Sequence, residues 1–421
     1  MTDVRPFRAL RYDPTRVDLA RVLAPVYDVV APEERAVFWE RDPHNAVRLE
    51  LTRDAAEEAT TDYVEAAARL DAWRREGVLV RDAEPALYVL RQRFAAPDGR
   101  PAERLGFFGA LRLEDYAARV VRPHERTLAA PKADRLKLLR ATRANLSGVF
   151  LLYEDREAKL APLLEAALEG GRPRVATDAA GAENALVPLC DPAAQRAIQA
   201  FLAERAVVIA DGHHRYETAL AYRDERRAAG RRDPDAPCER LLAYFANAFA
   251  PGSLLLPIHR LVLRGPVPDA ALWRRLAGWE CREVAVADAD AVPEALEAQL
   301  APLRDRQAFA ADDGSGRLRI FSRPRDAEVS VRVVHREVLD ALFGLDEAAV
   351  RAGAVAFPKS AREAARDVRA GRGVVALFLN PLAPEDVFRV TEAGETLPQK
   401  STFFHPKLAT GLLFRSLEPD A

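Results

Sequence analysis

The segment Ala206-Val207-Val208-Ile209-Ala210-Asp211-Gly212-His213-His214-Arg215-Tyr216-Glu217 has the strongest claim to chemistry. A short apolar run ends in an acid and a glycine, and a helical pattern then opens with two histidines and an arginine. The first turn of a helix carries unpaired N–H groups and partial positive charge, so it attracts phosphate. Gly212 lets a ligand approach the backbone closely. His213, His214 and Arg215 add donors and charge. Asp211 suits a Mg2+ ion, a metal-bound water or a ligand hydroxyl. The plainer reading is that Asp211 caps the helix and Arg215 pairs with a surface carboxylate. Residue types alone leave both open.

A second segment, Arg122-Pro123-His124-Glu125-Arg126-Thr127, precedes the helical pattern Pro131-Lys132-Ala133-Asp134-Arg135-Leu136. His124 and Glu125 form a candidate acid/base pair beside a helix start; the alternative is a solvated loop with helix caps. They are not a zinc-protease HExxH, because Leu128 stands where the second histidine belongs. A third segment, Leu397-Pro398-Gln399-Lys400-Ser401-Thr402-Phe403-Phe404-His405-Pro406-Lys407, sets two lysines beside hydroxyls in an apolar stretch. Lys400 is its candidate phosphate or carboxylate contact, and a packed tail is the alternative. A GxxxxGK[ST] loop, a GxGxxG after a strand and a GxSxG elbow are all missing. His213 and His214 are neighbours rather than i,i+4 partners, so one metal would not take both. His259, in Pro257-Ile258-His259-Arg260, is a further candidate, though strand-end histidines are more often structural.

These segments need elements to hold them. Helical spacing of Tyr63, Ala67, Leu70 and Trp73 predicts a helix over 54–76, stopped by Gly77. Ala86–Ala95 and Glu103–Leu113 read as strands around a turn at Pro97-Asp98-Gly99. Helices are expected at 131–144, 157–168, 193–204 and from 213 to about 229, with strands at 148–153, 185–189 and 206–210. Strands follow at 241–249 and 254–262, then a helix at 270–276, a hairpin around 312–316, a helix at 360–370 and a buried strand at 373–379. The class is α/β, of the mixed α+β kind. Three regions are expected: 1–190 with the His124-Glu125 segment, 191–265 with the Asp211–Arg215 turn, and 266–421 with the Lys400 segment.

The chain has 421 residues, 49% hydrophobic and 30% charged, which is a globular balance. Its 62 basic and 64 acidic residues leave a net charge of −2, unlike the basic surface that drives phosphate-backbone binding. Nucleic acid and anionic membrane are therefore not expected partners. The start has no signal-peptide pattern and no apolar run approaches a membrane span. Three scattered cysteines suggest no disulfide framework, which fits the cytoplasm. Only 6 of the 62 basic residues are lysines: 132, 137, 159, 359, 400 and 407. Where arginine is the default cation, a retained lysine points weakly to a role for a compact charge.

The strings Pro25-Val26-Tyr27-Asp28-Val29, His124-Glu125-Arg126-Thr127, Asp134-Arg135-Leu136, Asp211-Gly212-His213-His214-Arg215-Tyr216-Glu217-Thr218, Pro257-Ile258-His259-Arg260 and Pro398-Gln399-Lys400-Ser401-Thr402 together resemble the bacterial family called domain of unknown function 1015. The resemblance runs over nearly the whole chain. More distantly, the strand–DGHHR–helix unit is similar to the ParB/sulfiredoxin superfamily, whose Gly-x-x-Arg turn surrounds nucleotide phosphates. Gly212 and Arg215 match that turn. The resemblance implies a ParB/sulfiredoxin-like core with N- and C-terminal α/β extensions. Sulfiredoxin has cysteine where His213 stands, so sulfinic-acid repair is not implied. Partition proteins carry a DNA-reading helix-turn-helix, which this sequence lacks. The branch that remains is the small-molecule kinases, which include kinases of free serine.

The expected function is thus a nucleotide-dependent phosphotransferase acting on a small hydroxylated metabolite, serine among the candidates. Gly212, His213, His214, Arg215 and Lys400 would bind ATP or ADP, Asp211 would hold Mg2+, and Glu125, assisted by His124, would take the hydroxyl proton. The glutamate is assigned from its chemistry alone. The rivals are a non-catalytic nucleotide sensor and a metal-dependent hydrolase using His124, His213, His214 or His259. The oligomeric state is not readable.

Overall fold

A computed structural model of the chain describes residues 1–127, 129–230 and 232–418. Leu128 therefore lies outside the described residues. The class is mixed α/β, as expected. The chain divides into two compact units. The first comprises Met1–Leu254, Thr391–Gly394 and Phe404–Ala421; the second comprises Leu255–Val390 and Glu395–Phe403.

The first unit is built on one mixed sheet. Its strands in chain order are β1 (Val4–Arg5), β2 (Leu87–Ala95), β3 (Pro101–Arg112), β4 (Val121–Arg122), β5 (Val149–Tyr153), β6 (Arg174–Thr177), β7 (Glu183–Leu189), β8 (Val207–Asp211) and β9 (Arg240–Asn247). They lie in the order β6-β7-β2-β3-β9-β5-β8-β4, with β1 paired to β3. The expected edge at 190 is corrected by this sheet. Strands from either side of it hydrogen-bond as neighbours, β9 to β3 and β8 to β5, so the 191–265 region has no separate core. Val207, Val208 and Ile209 are all fully buried, as a continuous apolar run requires when both faces of a strand are covered.

Two helices follow the candidate segments: α1 (Ala129–Thr142) and α2 (His213–Ala228), which pack on one another. The second unit has a six-stranded sheet including Arg260–Val262, Arg306–Asp312, Arg317–Pro324 and Val375–Leu379. The hairpin predicted around 312–316 joins two of these strands.

Several boundaries moved for local reasons. The helix predicted over 54–76 begins at Val64, because Tyr63 adopts a left-handed backbone (φ 61°). The single strand predicted over 254–262 is cut into Leu254–Leu256 and Arg260–Val262 around Pro257, whose missing N–H cannot join a ladder. The sequence reading missed a π-helix at Val334–Asp340 and the edge strand β6. Among the described residues, no helix is long and apolar enough to cross a membrane.

Candidate functional site

The site forms where β8 and β4 end side by side. The two strands run parallel, with Val207 opposite Val121 and Val208 opposite Arg122. Parallel register carries the chain after β4 alongside the end of β8, so His124 arrives beside Ile209. Its Nδ1–H donates to the Ile209 carbonyl at 2.5 Å. On the other side of β8, the pairing with β5 shifts register between Ile209 and Asp211. Such a bulge re-aims the residue that follows it.

Gly212 comes next, with φ 91°. That left-handed turn costs glycine little and would strain any other residue. A Cβ there would sit 2.9 Å from Nε of Arg215, so the guanidinium packs directly onto the bare backbone. The turn opens the 16-residue α2, which has no side-chain cap. The plain reading of Asp211 as a cap is thereby excluded. Its carboxylate is engaged elsewhere: Arg215 donates to Oδ2 at 2.7 Å, and Lys407 donates to Oδ1. Arg215 also donates to the Gly148 carbonyl at 2.5 Å, while its buried Nε has no hydrogen-bond partner among the described residues. Burial would raise the Asp211 carboxyl, but Lys407 and Arg215 outweigh it and hold the group down to about 2. Burial likewise works against Arg215, and Asp211 reverses it, leaving the guanidinium above its usual range. The three groups are charged and mutually dependent.

The two histidines meet edge to face, ring centroids 4.6 Å apart. The backbone N–H of His124 donates to Nε2 of His213 at 3.3 Å. That acceptor role assigns the His213 proton to Nδ1, which faces Glu125 Oε1 at 3.9 Å. Both rings are buried, and burial depresses both below the ordinary histidine range; each ring's proximity to the other adds to this for His213, whereas Glu125 opposes it for His124. They are neutral at pH 7. Glu125 is the more open member, its side chain 26% exposed. Thr127 and Lys132 both donate to Oε2 of Glu217, at 2.7 Å each, and so tie the His124-Glu125 segment onto α2.

The structure therefore brings together Glu125, His124, Asp211, Gly212, His213 and Arg215, with His214 next on α2. Lys400 is not among them. It belongs to the second unit, with a left-handed backbone at φ 56°. Lys407 is the lysine that meets Asp211; both lysines were equally visible as rare residues, and nothing local distinguished them. His259 also belongs to the second unit. Asp211 does not fit its expected role as metal ligand, because both of its oxygens are held by cations. Among the described residues, no group of three or more His, Cys, Asp or Glu side chains is arranged to hold a metal ion.

A model of the family described as "Protein of unknown function (DUF1015)" matches residues 4–311. The chain belongs to the DUF1015 family. A search of curated proteins finds no match to this DUF1015 member. Among solved structures it is similar to a free serine kinase in complex with AMP, at 16% identity over 71% of this chain and 86% of that one, TM-score 0.35. A conserved hypothetical protein from Pyrococcus furiosus matches at 16% identity over 73% and 95%, TM-score 0.34. Truncated SbnI from Staphylococcus aureus matches at 10% identity over 72% and 85%, TM-score 0.36.

Proposed function

We propose that the first unit is a nucleotide-dependent phosphotransferase acting on a small hydroxylated metabolite, serine being one such acceptor. The carrying observation is the uncapped start of α2, flanked by Arg215 and Lys407 around one ionised aspartate. In this reading the strand–turn–helix at 207–228 is a ParB/sulfiredoxin-like phosphate turn. The N–H groups of the first turn of α2 hold the phosphates of ATP or ADP, and Arg215 and Lys407 neutralise their charge. Asp211, already charge-balanced by Arg215 and Lys407, holds no Mg2+ in this reading.

Glu125 is the proton acceptor. The acceptor hydroxyl loses its proton to the Glu125 carboxylate as its oxygen bonds to the terminal phosphorus. The bond from that phosphorus to the nucleotide's bridging oxygen breaks, and the electron pair leaves with the nucleotide. His213 Nδ1–H faces Glu125 at 3.9 Å, too far for a hydrogen bond, and His124 fixes the His213 tautomer. Phosphoryl transfer needs mainly positioning and charge stabilisation, so this inventory is sufficient.

The test is calorimetry with ATP, ADP and CTP, followed by mass spectrometry of products formed with a pool of hydroxylated metabolites. Failure to bind any of the three nucleotides overturns the reading. Nucleotide binding without product from any acceptor leaves a sensor. Glu125→Gln is expected to lower turnover by about 100-fold or more, with nucleotide affinity within about twofold.

A further inference from the structure

The first unit also holds a cavity of about 1160 Å3 that shares no lining residue with the site around Gly212. Residues 232–237 form one wall, and Asp235 in that wall accepts from Arg5 at 2.6 Å. The volume exceeds the roughly 300–1,000 Å3 of ordinary small-molecule pockets.

Nine of the residues lining it are arginines and four are acids. No local run of charge makes this excess. Arg8 lies just after β1, Arg143 just after α1, Arg226 on α2, Arg232 in the loop that follows and Arg240 on β9, so the fold gathers them from distant stretches of chain. Several are neutralised in place: Arg240 meets Asp3 at 2.5 Å, Arg5 meets Asp235 at 2.6 Å, Arg143 meets Glu418 at 3.5 Å, and Arg140 pairs with Glu225. Arg8, Arg226 and Arg232 have no carboxylate within 4 Å among the described residues. Arg8 donates its Nε to the Asp82 carbonyl at 2.9 Å, and the Arg226 guanidinium lies 5.9 Å from the Tyr222 ring centroid. With Asp3 added to the four lining acids, nine positive charges face five negative ones, an excess of four in a chain whose whole net charge is −2.

Like charges gathered in a cleft repel one another and focus a positive field into it. A polyanion relieves that repulsion. Guanidinium forks match phosphate and carboxylate oxygens alike, so the rest of the wall decides between ligands. A nucleic-acid strand needs exposed ring faces on which to stack its bases. The two rings in this wall, Phe7 and Tyr222, are only 8% and 6% exposed, so bases would find no such face. An acidic peptide carries its charges on flexible side chains that cost entropy to order, whereas linked phosphates carry theirs on the chain itself. We propose that this cavity binds a chain of linked phosphates, an inorganic oligophosphate, on the guanidiniums of Arg8, Arg226 and Arg232. None of the residues assigned to phosphotransfer lines it, so the proposal stands apart from that reading.

The test is calorimetry on the full chain with inorganic tripolyphosphate, against orthophosphate and against glutamate and thymidylate oligomers of matched charge. Tripolyphosphate is expected to bind at least tenfold more tightly than each. Its affinity is expected to fall roughly 50-fold between about 50 and about 200 mM salt, as neutralising some four charges requires. No binding of tripolyphosphate, or equal binding of either oligomer, overturns the proposal. The paired variant Arg226→Gln with Arg232→Gln removes two charges that no carboxylate meets, and is expected to weaken binding tenfold or more. Arg282→Gln, an exposed charge in the second unit, is expected to leave binding within about twofold. Equal loss in both would make the effect one of overall charge and overturns the cavity. Arg215→Ala separates this cavity from the Gly212 turn: tripolyphosphate binding is expected to survive it, and loss there with binding kept in the paired variant overturns the proposal. Unchanged binding in the paired variant does so whatever Arg215→Ala shows. ATP binding is measured in the same proteins and is expected to persist in the paired variant, so either site can fail without the other.

Discussion

Two arginines, one in each unit, are withdrawn from water and treated in opposite ways. The Arg215 side chain is 10% exposed and meets a carboxylate shared with Lys407. Arg260 is 0% exposed and, among the described residues, meets only neutral groups: it donates to the Ile258 carbonyl at 2.5 Å and to Nε2 of His335 at 3.1 Å. Its remaining nitrogen, Nη2, has no hydrogen-bond partner among the described residues. The electrostatic consequences diverge accordingly. Asp211 holds Arg215 firmly protonated, whereas burial alone pulls Arg260 down to about 9. The same burial, reinforced by Arg260, pushes His259 and His335 down to about 3. Of the two arginines, Arg215 is embedded in a balanced charge network at a helix start without a side-chain cap. A buried charge with a counter-charge beside it is balanced within the fold. Without a counter-charge it reads first as a cost to the fold.

The largest expected effect breaks the balanced network. Asp211→Asn leaves Arg215 and Lys407 buried together without their carboxylate and should cost about 3–5 kcal/mol in urea unfolding. A loss below about 1 kcal/mol would mean that the network is not load-sharing as described.

Acid sharpens the contrast. Asp211 has a folded value of about 2 against an ordinary 3.8. A depressed carboxyl contributes stability above pH 3.8 that is lost as pH falls toward 2, here about 2 kcal/mol. The histidines behave with the same sign in a higher window. His259 and His335 stay neutral in the fold down to about pH 3, while the unfolded chain takes up protons from about pH 6.5. Their contribution is present above pH 6.5 and is lost progressively below it. His124 and His213 start the same loss in the first unit, because burial depresses them too. Circular dichroism across pH 8 to 2 should therefore show early loss in wild type. In Asp211→Asn the step between pH 4 and 2 should be absent.

Gly212→Ala forces a side chain onto the left-handed turn and against the Arg215 guanidinium. It should cost about 1–2 kcal/mol in thermal unfolding and weaken nucleotide binding by displacing Arg215. The smallest effect is expected in the other region. Arg260→Met removes a charge that nothing balances, so stability should change by less than about 1 kcal/mol or rise. A loss of more than about 3 kcal/mol would show that the neutral partners hold Arg260 better than the comparison implies.

The sequence already carried much of the site. The order of apolar run, acid, glycine and basic helix start over 206–217 is a local pattern, and local patterns depend on dihedral preferences and periodicity that neighbours in the chain impose. It yielded β8, the turn at Gly212 and α2 nearly to the residue. Glu125 was also readable as a candidate base, since a titratable pair before a helix is visible without knowing what surrounds it. Glu50 alternates with apolar residues in Val47-Arg48-Leu49-Glu50-Leu51, a pattern that reads as a surface position, yet it is buried.

Sequence by itself therefore determined the elements and most of the chemical inventory, because both are written in residue types and short spacings. The tertiary structure alone decided which members of that inventory meet. Parallel pairing of β4 with β8 joins His124 to His213 across 89 residues. Lys407 rather than Lys400 reaches Asp211 across 196, and Glu50 is gathered with Ser147 and Thr410 across 97 and 360. Such contacts are fixed by sheet order and by the burial each side chain can tolerate, and neither quantity is a property of any short stretch of chain.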